Sequence, residues 1–181
     1  KNLQQVYRNK RTYIDFGKYT KAFPELGIVE MDTVKGTRAA GKCLLTLLFR
    51  SCSFMIVILL PDCTQRSVVN AINNLCDTIG IRTFKKYFPI ILTDNGSEFA
   101  AHEWLSKKLG VPIYFTDSYS SWQKGNIENT NKLIRQYIPK GTDISTVADK
   151  RIASIQAKIN RRPREKLNFL TPNEVFFKHF A

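Results

Sequence analysis

The apolar residues of this chain fall into short dense runs, separated by polar turns or by stretches of helical periodicity. Ile28 to Val34, Lys42 to Arg50 and Ser53 to Leu60 follow one another with little between them, which predicts three antiparallel strands. Their near-continuous Leu, Ile, Val and Phe content is typical of strands buried on both faces. Two shorter runs, Phe88 to Thr93 and Ile113 to Thr116, predict a fourth and a fifth strand.

The segments between the later strands show apolar residues three and four positions apart, which predicts helices. The first begins after Thr64, a suitable N-cap, and ends at Gly80. Further helices are predicted over Glu98 to Leu109, Gly125 to Tyr137, from about Ser145, and as a turn or helix over Pro172 to Phe177. This order predicts an α/β fold with a ribonuclease H-like mixed five-stranded sheet, three antiparallel strands followed by two parallel additions, flanked by helices.

The first 26 residues lack clear periodicity and are basic, with six Lys and Arg against Asp15 alone in residues 1–21. They predict a basic N-terminal arm or linker, followed by a single domain over residues 27–181. Because the chain begins at Lys1 and not at Met, we expect a further segment upstream.

The charge balance is strongly positive, with 28 Lys and Arg against 15 Asp and Glu. An excess of this size favours a polyanionic partner such as nucleic acid, although solubility alone would also account for it. The longest apolar run, Phe54 to Leu60, is far too short to span a membrane, which takes about 20 residues. The four cysteines show no metal-binding spacing, which favours a reduced, cytoplasmic setting.

Three carboxylates occupy positions where they could converge. Asp32 lies in the first predicted strand, Asp94 ends the fourth, and Glu128 lies on the helix that begins at Gly125. Acids that meet in a small space repel each other, and a divalent cation relieves that repulsion. Oxygen ligands without His or Cys favour Mg²⁺ or Mn²⁺ over zinc, and two such ions about 3.5–4 Å apart suit phosphoryl transfer. The sequence therefore predicts two Mg²⁺ or Mn²⁺ ions held by Asp32, Asp94 and Glu128.

Several basic residues surround these acids in the sequence. Lys132 and Arg135 fall close to Glu128 on a helix, where they could reach phosphates, although Glu128 and Lys132 could equally form an ordinary i, i+4 pair. Candidate DNA-binding residues are Lys124, Lys132, Arg135, Arg161, Arg162 and Arg164. Trp122 either stacks on a base of a frayed DNA end or anchors its loop on the domain; we favour the anchor for Trp122 and DNA contact for Lys124.

Four further polar residues could support the acids without binding metal themselves. Glu30 alternates in phase with Asp32, so the two can share a face of the sheet. Asn95 follows Asp94, where a turn is its simplest role, and a bond to bound water or phosphate is the alternative. The supporting candidates are Glu30, Asn95, Asn129 and Asn131.

These motifs together resemble the DDE transposases of the insertion-sequence-30 family, and more distantly the retroviral integrases. The likeness is carried by Glu30-Met31-Asp32, Thr93-Asp94-Asn95-Gly96-Ser97-Glu98-Phe99, Trp122-Gln123-Lys124-Gly125-Asn126-Ile127-Glu128-Asn129-Thr130-Asn131, Ile134 to Asp143, Asn160-Arg161-Arg162-Pro163-Arg164 and Leu170-Thr171-Pro172-Asn173-Glu174. The 33 residues between Asp94 and Glu128 also match that family.

The resemblance implies an integrase or transposase catalytic domain over residues 27–181, with Asp32, Asp94 and Glu128 as a metal-binding triad. It implies metal-dependent nicking at transposon ends, followed by attack of the freed 3′-hydroxyl on double-stranded target DNA. It further implies a homo-oligomer in a prokaryotic cytoplasm, acting at the nucleoid, and a helix-turn-helix region upstream. We expect no membrane association and no organic cofactor. A non-catalytic DNA-binding remnant and a ribonuclease H-type nuclease remain as alternatives.

Overall fold

A computed structural model describes residues 10–37, 41–118 and 120–180 of the chain. Part of the predicted first turn (residues 38–40), the start of the predicted arm and Tyr119 lie outside the described residues. The five predicted strands are confirmed: β1 (Ile28–Lys35), β2 (Cys43–Phe49), β3 (Met55–Leu60), β4 (Ile90–Thr93) and β5 (Ile113–Phe115).

The strands form one mixed sheet in the order β3-β2-β1-β4-β5. β1 to β3 are an antiparallel meander, and β4 and β5 add to β1 in parallel. The predicted α/β class and mixed sheet are therefore confirmed. Every residue of β2 is buried, as its continuous apolar content predicted.

Seven helices flank this sheet in the described residues. They are α1 (Tyr13–Ala22), α2 (Gln65–Ile79), α3 (Ile81–Tyr87), α4 (His102–Leu109), α5 (Gly125–Tyr137), α6 (Asp149–Asn160) and α7 (Pro172–Phe180). Short 3₁₀ turns lie at Ser97–Phe99, Ser121–Lys124, Ile144–Thr146 and Glu165–Leu167. None of the described helices is long and apolar enough to cross a membrane.

The two faces of the sheet are covered by different helices. Val29 and Met31 of β1 share a core with residues of α2, α3, α4 and α7. Val34, on the other face, shares a core with Ile127 and Ile134 of α5 and Ile152 of α6. Because side chains alternate along a strand, Glu30 and Asp32 lie on the same face as Val34. The face that carries Asp32 is therefore the one covered by α5, which carries Glu128.

Helix α1 lies within the segment predicted to be an N-terminal arm. Thr12 and Asp15 form a capping box at its start, and Phe16 is buried against Ile90, Leu92 and Tyr114 at the β4–β5 end of the sheet. The lack of clear periodicity in the sequence did not indicate this helix, and the basic arm or linker over residues 1–26 stays a prediction.

Two other helices differ from the sequence prediction. α3 was not predicted, because it is seven residues long and buries Phe84 as its single core side chain. The helix predicted from Glu98 begins at His102, since Ser97–Phe99 form a 3₁₀ turn. The predicted N-cap Thr64 and C-terminal Gly80 of α2 are confirmed, and Gly80 has φ 82°.

Candidate active site

The parallel pairing of β1 and β4 brings Asp32 and Asp94 together. Glu30 is paired with Leu92 across the two strands, so two residues further along each strand Asp32 and Asp94 are neighbours on one face. Asp94 also lies just beyond the carboxyl end of β4, the edge where open α/β sheets usually bind ligands.

Lys124 lies between these two acids. Its ammonium nitrogen is 3.3 Å from Oδ1 of Asp32 and 3.2 Å from Oδ2 of Asp94. The lysine is only 4% exposed, because the 3₁₀ turn before α5 packs it into the cleft. The side chain is bound to the two carboxylates, and its contact with DNA stays a prediction. Its positive charge offsets the repulsion between two neighbouring acids.

Asp32 is held by further contacts. Its Oδ1 accepts from the backbone N–H of Thr33 at 2.9 Å, and its Oδ2 accepts from the amide of Asn131 at 2.9 Å. Burial raises the pKa of Asp32, with the charge of Asp94 acting in the same direction and Lys124 opposing both. Asn131 therefore contacts the acid that it was predicted to support.

Glu128 lines the same cleft as Asp94. The cleft encloses about 610 Å³ and is lined by Asp94, Asn95, Gly96, Thr116, Asp117, Ser118, Ser120, Lys124 and Glu128. No ion pair joins Glu128 to Lys132 among the described residues, so the ordinary helical pairing is not formed. Within residues 10–37, 41–118 and 120–180, no three acidic, His or Cys side chains are arranged as metal ligands. The structure thus places Asp94 and Glu128 in one cleft and joins Asp32 to it through Lys124.

The turn after Asp94 depends on a glycine. The backbone N–H of Gly96 donates to Oδ1 of Asp94 at 3.0 Å. A β-carbon at Gly96 would lie 2.5 Å from Oε2 of Glu98 and 3.1 Å from Oδ1 of Asp94, so no larger residue fits without displacing a carboxylate. The backbone at position 96 runs so close to the carboxylates of Asp94 and Glu98 that only glycine fits there without a shift of a side chain.

Glu98 ties this turn to β1. Its carboxylate accepts from the hydroxyl of Thr33 at 2.8 Å and pairs with the Lys35 ammonium at 3.2 Å. Burial raises the pKa of Glu98, but its hydrogen bonds and the charge of Lys35 outweigh burial and leave the pKa below its ordinary value. The sequence analysis placed Glu98 only at the start of a predicted helix.

Glu30 holds the start of α5. The side chain is completely buried, and its Oε2 accepts from the backbone N–H of Ile127 at 2.8 Å. Its Oε1 accepts from Nε of Arg50 at 2.7 Å, and Arg50 also donates to the carbonyl of Gln123 at 3.2 Å. A carboxylate at the N-terminus of a helix is favoured by the helix dipole. Glu30 therefore fixes the helix that carries Glu128, and does not itself line the cleft.

Sequence reasoning missed Arg50. Glu30 lies opposite Leu48 in the β1–β2 pairing, so Arg50 is its diagonal neighbour. Diagonal residues of antiparallel strands are within reach of long side chains, so the register, once known, would have identified the pair.

The predicted DNA-binding residues have different surroundings. Lys132 is exposed and donates to Asn129, whereas Arg135 is half-buried and donates to the carbonyl of Lys35 at 2.7 Å. Arg135 thereby ties α5 to the end of β1. The remaining three lie after α6: Arg161 and Arg162 are exposed and Arg164 is half-buried.

The loop before α5 overturns one expectation and supports another. Trp122 is 75% exposed, so the prediction that it anchors the loop is wrong. The anchor is Gln123, which accepts from the backbone N–H of Asp117 at 2.8 Å and donates to its carboxylate at 2.9 Å. Asn95 donates to the carbonyl of Thr116 at 3.0 Å, which supports its turn role.

The residues at this site fit a divalent cation. Asp32 and Asp94 already enclose a positive charge in the form of the Lys124 ammonium, and Glu128 supplies another carboxylate to the cleft. Asn131 adds a buried amide oxygen that has no hydrogen-bond partner among the described residues. An all-oxygen donor set of this kind suits Mg²⁺ or Mn²⁺.

Comparison with known proteins identifies relatives over most of the chain. The transposase for insertion sequence element IS4351 of Bacteroides fragilis is 52% identical over 96 residues, covering 53% of this chain and 29% of that protein. The transposase for IS1086 of Cupriavidus metallidurans is 34% identical over 157 residues, which cover 84% of this chain and 43% of that protein. Transposase InsI for IS30A of Escherichia coli K12 is 35% identical over 156 residues, which cover 86% of this chain and 39% of that protein. A scan of protein-family models found no match.

The fold also has a solved counterpart. The catalytic core domain of BIV integrase superposes with a TM-score of 0.60 at 18% identity, covering 84% of this chain and 94% of that one. The mixed sheet and its flanking helices thus have the ribonuclease H-like fold of that integrase domain. The relatives described above are transposases of insertion-sequence elements, IS30A among them; this chain is homologous to them and spans less than half the length of each.

Proposed function

We propose that this chain is the catalytic core of a DDE transposase, a polynucleotidyl transferase that nicks DNA at transposon ends and joins the freed 3′-hydroxyl to target DNA. One observation carries the proposal. Two acids on neighbouring parallel strands enclose a cation, Lys124, at the mouth of a cleft that a third acid, Glu128, also lines. A protein that only binds DNA gains nothing from negative charge at such a place.

Asp32, Asp94 and Glu128 would hold Mg²⁺ or Mn²⁺. When bound, two such ions stabilise the charge that develops on the attacking and leaving oxygens of a phosphodiester. The remaining residues position these acids: Asn131 and the Thr33 N–H orient Asp32, Gly96 orients Asp94, and Glu30 fixes the helix of Glu128.

Double-stranded DNA is the proposed substrate, as transposon end and as target. The excess positive charge supports it, and Lys132, Arg161 and Arg162 leave exposed cations near α5 and after α6. Trp122, exposed in the turn between the cleft-lining residues Ser120 and Lys124, would stack on a base of an opened end. We further propose a homo-oligomer that works in the cytoplasm of a prokaryotic cell at the nucleoid.

Replacement of Glu128 by Gln tests the site directly. The amide keeps the size of the side chain and removes its charge, so metal-dependent nicking of a duplex that carries the transposon end should fall at least about a thousandfold, the scale on which catalytic electrostatics act. Nicking is measured on labelled duplex, and DNA affinity, measured by anisotropy, should remain within about twofold of the unmodified chain. Full retention of nicking would contradict the assignment of Glu128.

The same assay separates the alternatives. A DNA-binding remnant would bind the duplex but show no calorimetric Mg²⁺ or Mn²⁺ binding and no nicking. A ribonuclease H-type nuclease would cut an RNA–DNA hybrid faster than the DNA duplex. Glu103→Gln is the control for the loss of one negative charge, because Glu103 is exposed on α4 and has no polar partner among the described residues.

A further inference from the structure

A second cleft lies beside α5, away from the three acids. It encloses about 380 Å³ and is lined by Ser53, Asn126, Asn129, Thr130, Leu133, Arg164, Glu165 and Lys166. Asn126 and Thr130 are two residues before and after Glu128, about 200° around the helix from it. The cleft is therefore on the opposite side of α5 from the acids, roughly one helix diameter or 10–12 Å away.

Two cations meet at this cleft without an acidic partner. Neither Arg164 nor Lys166 forms an ion pair within 4.0 Å in the described part of the chain. Glu165 lines the cleft but is exposed and pairs with neither. Burial and the neighbouring charge of Arg164 lower the pKa of Lys166, so the two cations repel each other across the cleft. An anion placed between them would relieve that repulsion.

Two buried polar atoms at the cleft also have no partner. The Ser53 side chain is 2% exposed, and its hydroxyl makes no hydrogen bond among the described residues. Nε of Arg164 is likewise buried and unbonded, although its Nη2 donates to the carbonyl of Ile159 at 3.3 Å. Buried polar groups are normally hydrogen-bonded, so two orphan donors facing one cleft indicate a missing acceptor.

The backbone around the cleft is built to hold these groups. Ser53 has φ 57°, and its N–H donates to the carbonyl of Phe49 at 2.8 Å in the β2–β3 turn. Arg164 is fixed by backbone hydrogen bonds with Leu170 and Phe169, both in the segment that precedes α7. The Lys166 ammonium is 3.5 Å from the side-chain oxygen of Asn126. The donors therefore come from two separate segments, the β2–β3 turn and the segment between α6 and α7, and converge on one space beside α5.

We propose that this cleft binds a phosphodiester group of the DNA strand that passes through the active site. The inference rests on the proposed function, because the DNA is the same substrate. A phosphate offers several acceptor oxygens and a negative charge, which match the Arg164 Nε–H, the Lys166 ammonium and the Ser53 hydroxyl. The site would bind the DNA backbone on the side of α5 opposite the acids. It would thereby fix which phosphodiester of the DNA strand lies against Glu128.

The site is tested by adding ligand in metal-free buffer, where no cleavage occurs, and monitoring the NMR signal of the Arg164 Nε–H during the titration. Inorganic phosphate and then a transposon-end duplex are added to the full chain, and to Lys166→Gln, Ser53→Ala and Lys107→Gln. Lys107 is exposed on α4, which packs on the other face of the sheet, so its variant is the matched control. Anisotropy gives the affinity for the duplex over a range of NaCl concentrations.

We expect both phosphate and duplex to shift the Arg164 Nε–H, with phosphate competing against duplex. Lys166→Gln should lower the slope of log affinity against log salt by about 0.9, as the loss of one phosphate contact does, and Ser53→Ala should weaken binding severalfold. Lys107→Gln should change neither. Because Lys166 is exposed, its variant reports binding without risk to folding.

The results that would overturn this phosphate site differ from those that would overturn the proposed function. An Arg164 signal that ignores both ligands overturns the site, even if Glu128→Gln abolishes nicking. A signal that responds to free phosphate but not to the duplex overturns the assignment to DNA backbone. A site that responds to both, on a chain that never nicks DNA, upholds the phosphate site and contradicts the catalytic proposal.

Discussion

At the scale of single residues, Lys124 is the side chain that defines the resting state of the site. Its ammonium bridges Asp32 and Asp94 within 3.3 Å of both. A lysine held there keeps two acids together without metal, and a divalent ion that enters the same space must displace it. Metal affinity and the stability of the metal-free chain are therefore linked through one amine.

Replacement of Lys124 by Gln should expose that link. Without the ammonium the two carboxylates repel, so the metal-free variant should lose about 1–2 kcal/mol of stability, a modest value because Asp94 is 42% exposed. Added Mg²⁺ should restore most of the loss and should bind severalfold more tightly than to the unmodified chain. Urea denaturation with EDTA and with Mg²⁺ measures both effects, and Lys107→Gln is the control. An equal loss in both buffers would contradict competition between lysine and metal.

Glu98 gives a prediction about pH. Its pKa is lowered on folding, so the unfolded chain binds more protons at acid pH and the stabilising contribution is complete only above the unfolded value. That contribution is lost as the pH falls through the folded pKa. Glu98→Gln should therefore cost about 1–3 kcal/mol at pH 7 and progressively less toward pH 3. Denaturation from pH 7 to pH 3 measures the difference, with Glu103→Gln as control; a difference that does not change with pH would contradict it.

At the scale of elements, the strand–helix junction at Glu30 decides where Glu128 points. Glu30 binds the first turn of α5 and Arg50 binds the turn before it, so a buried carboxylate and a half-buried guanidinium hold one helix end. Removing one member of a buried pair leaves the other without compensation.

Glu30→Gln should therefore cost about 2–4 kcal/mol of stability. It should also reduce the rate constant of nicking while leaving DNA affinity within about twofold, because Glu30 contacts the helix and not the cleft. Denaturation and single-turnover nicking measure the two effects, with the exposed Glu103→Gln for comparison. A variant that keeps full stability would show that the Arg50 pair does not hold α5.

The elements that could be predicted from the sequence are those whose signal is local. The apolar runs of β1 to β5 and the helical spacing that predicted α2, α5 and α6 are confirmed, because strand alternation and helical spacing are properties of neighbouring residues. The order of elements then sufficed for the mixed sheet. α1 and α3 were missed because each buries one aromatic side chain, Phe16 or Phe84, against residues distant in the chain.

The sequence was sufficient to propose the three acids of the candidate site, but not to predict which side chains contact them. Asp32, Asp94 and Glu128 stand out by residue type and spacing, and the structure brings them to one region. The position of Lys124 depends on how the Ser121–Lys124 turn packs against β1 and β4, which no local pattern contains. The exposure of Trp122 follows from the same turn, since Gln123 and Lys124 take the inward positions.

At the scale of the whole molecule, the site depends on a sheet covered on both faces. α5 and α6 cover one part of the face that carries Asp32, and α1 covers the β4–β5 part of that face through Phe16. Helix α1 is thus part of the layer that covers this face, and its packing supports β4, the strand that precedes Asp94.

Phe16→Ala measures whether that segment belongs to the folded unit. Phe16 is 4% exposed, and its truncation should cost about 3–5 kcal/mol, as for other buried aromatic residues. Ile14→Ala is the matched control on the same helix, because Ile14 is 68% exposed and should change stability by less than about 0.5 kcal/mol. Equal, small effects in urea denaturation would instead support a detached arm over residues 1–26.

The exposure of Trp122 has a spectroscopic consequence. The chain contains two tryptophans, and the other, Trp104, is 52% exposed on α4 beside the Lys108 ammonium. Neither indole lies in the core, so ultraviolet emission from the native protein already comes from hydrated rings and is a poor monitor of global unfolding. It is instead a local reporter, and in a chain carrying Trp104→Phe all tryptophan emission would come from the Ser121–Lys124 turn, directly before α5.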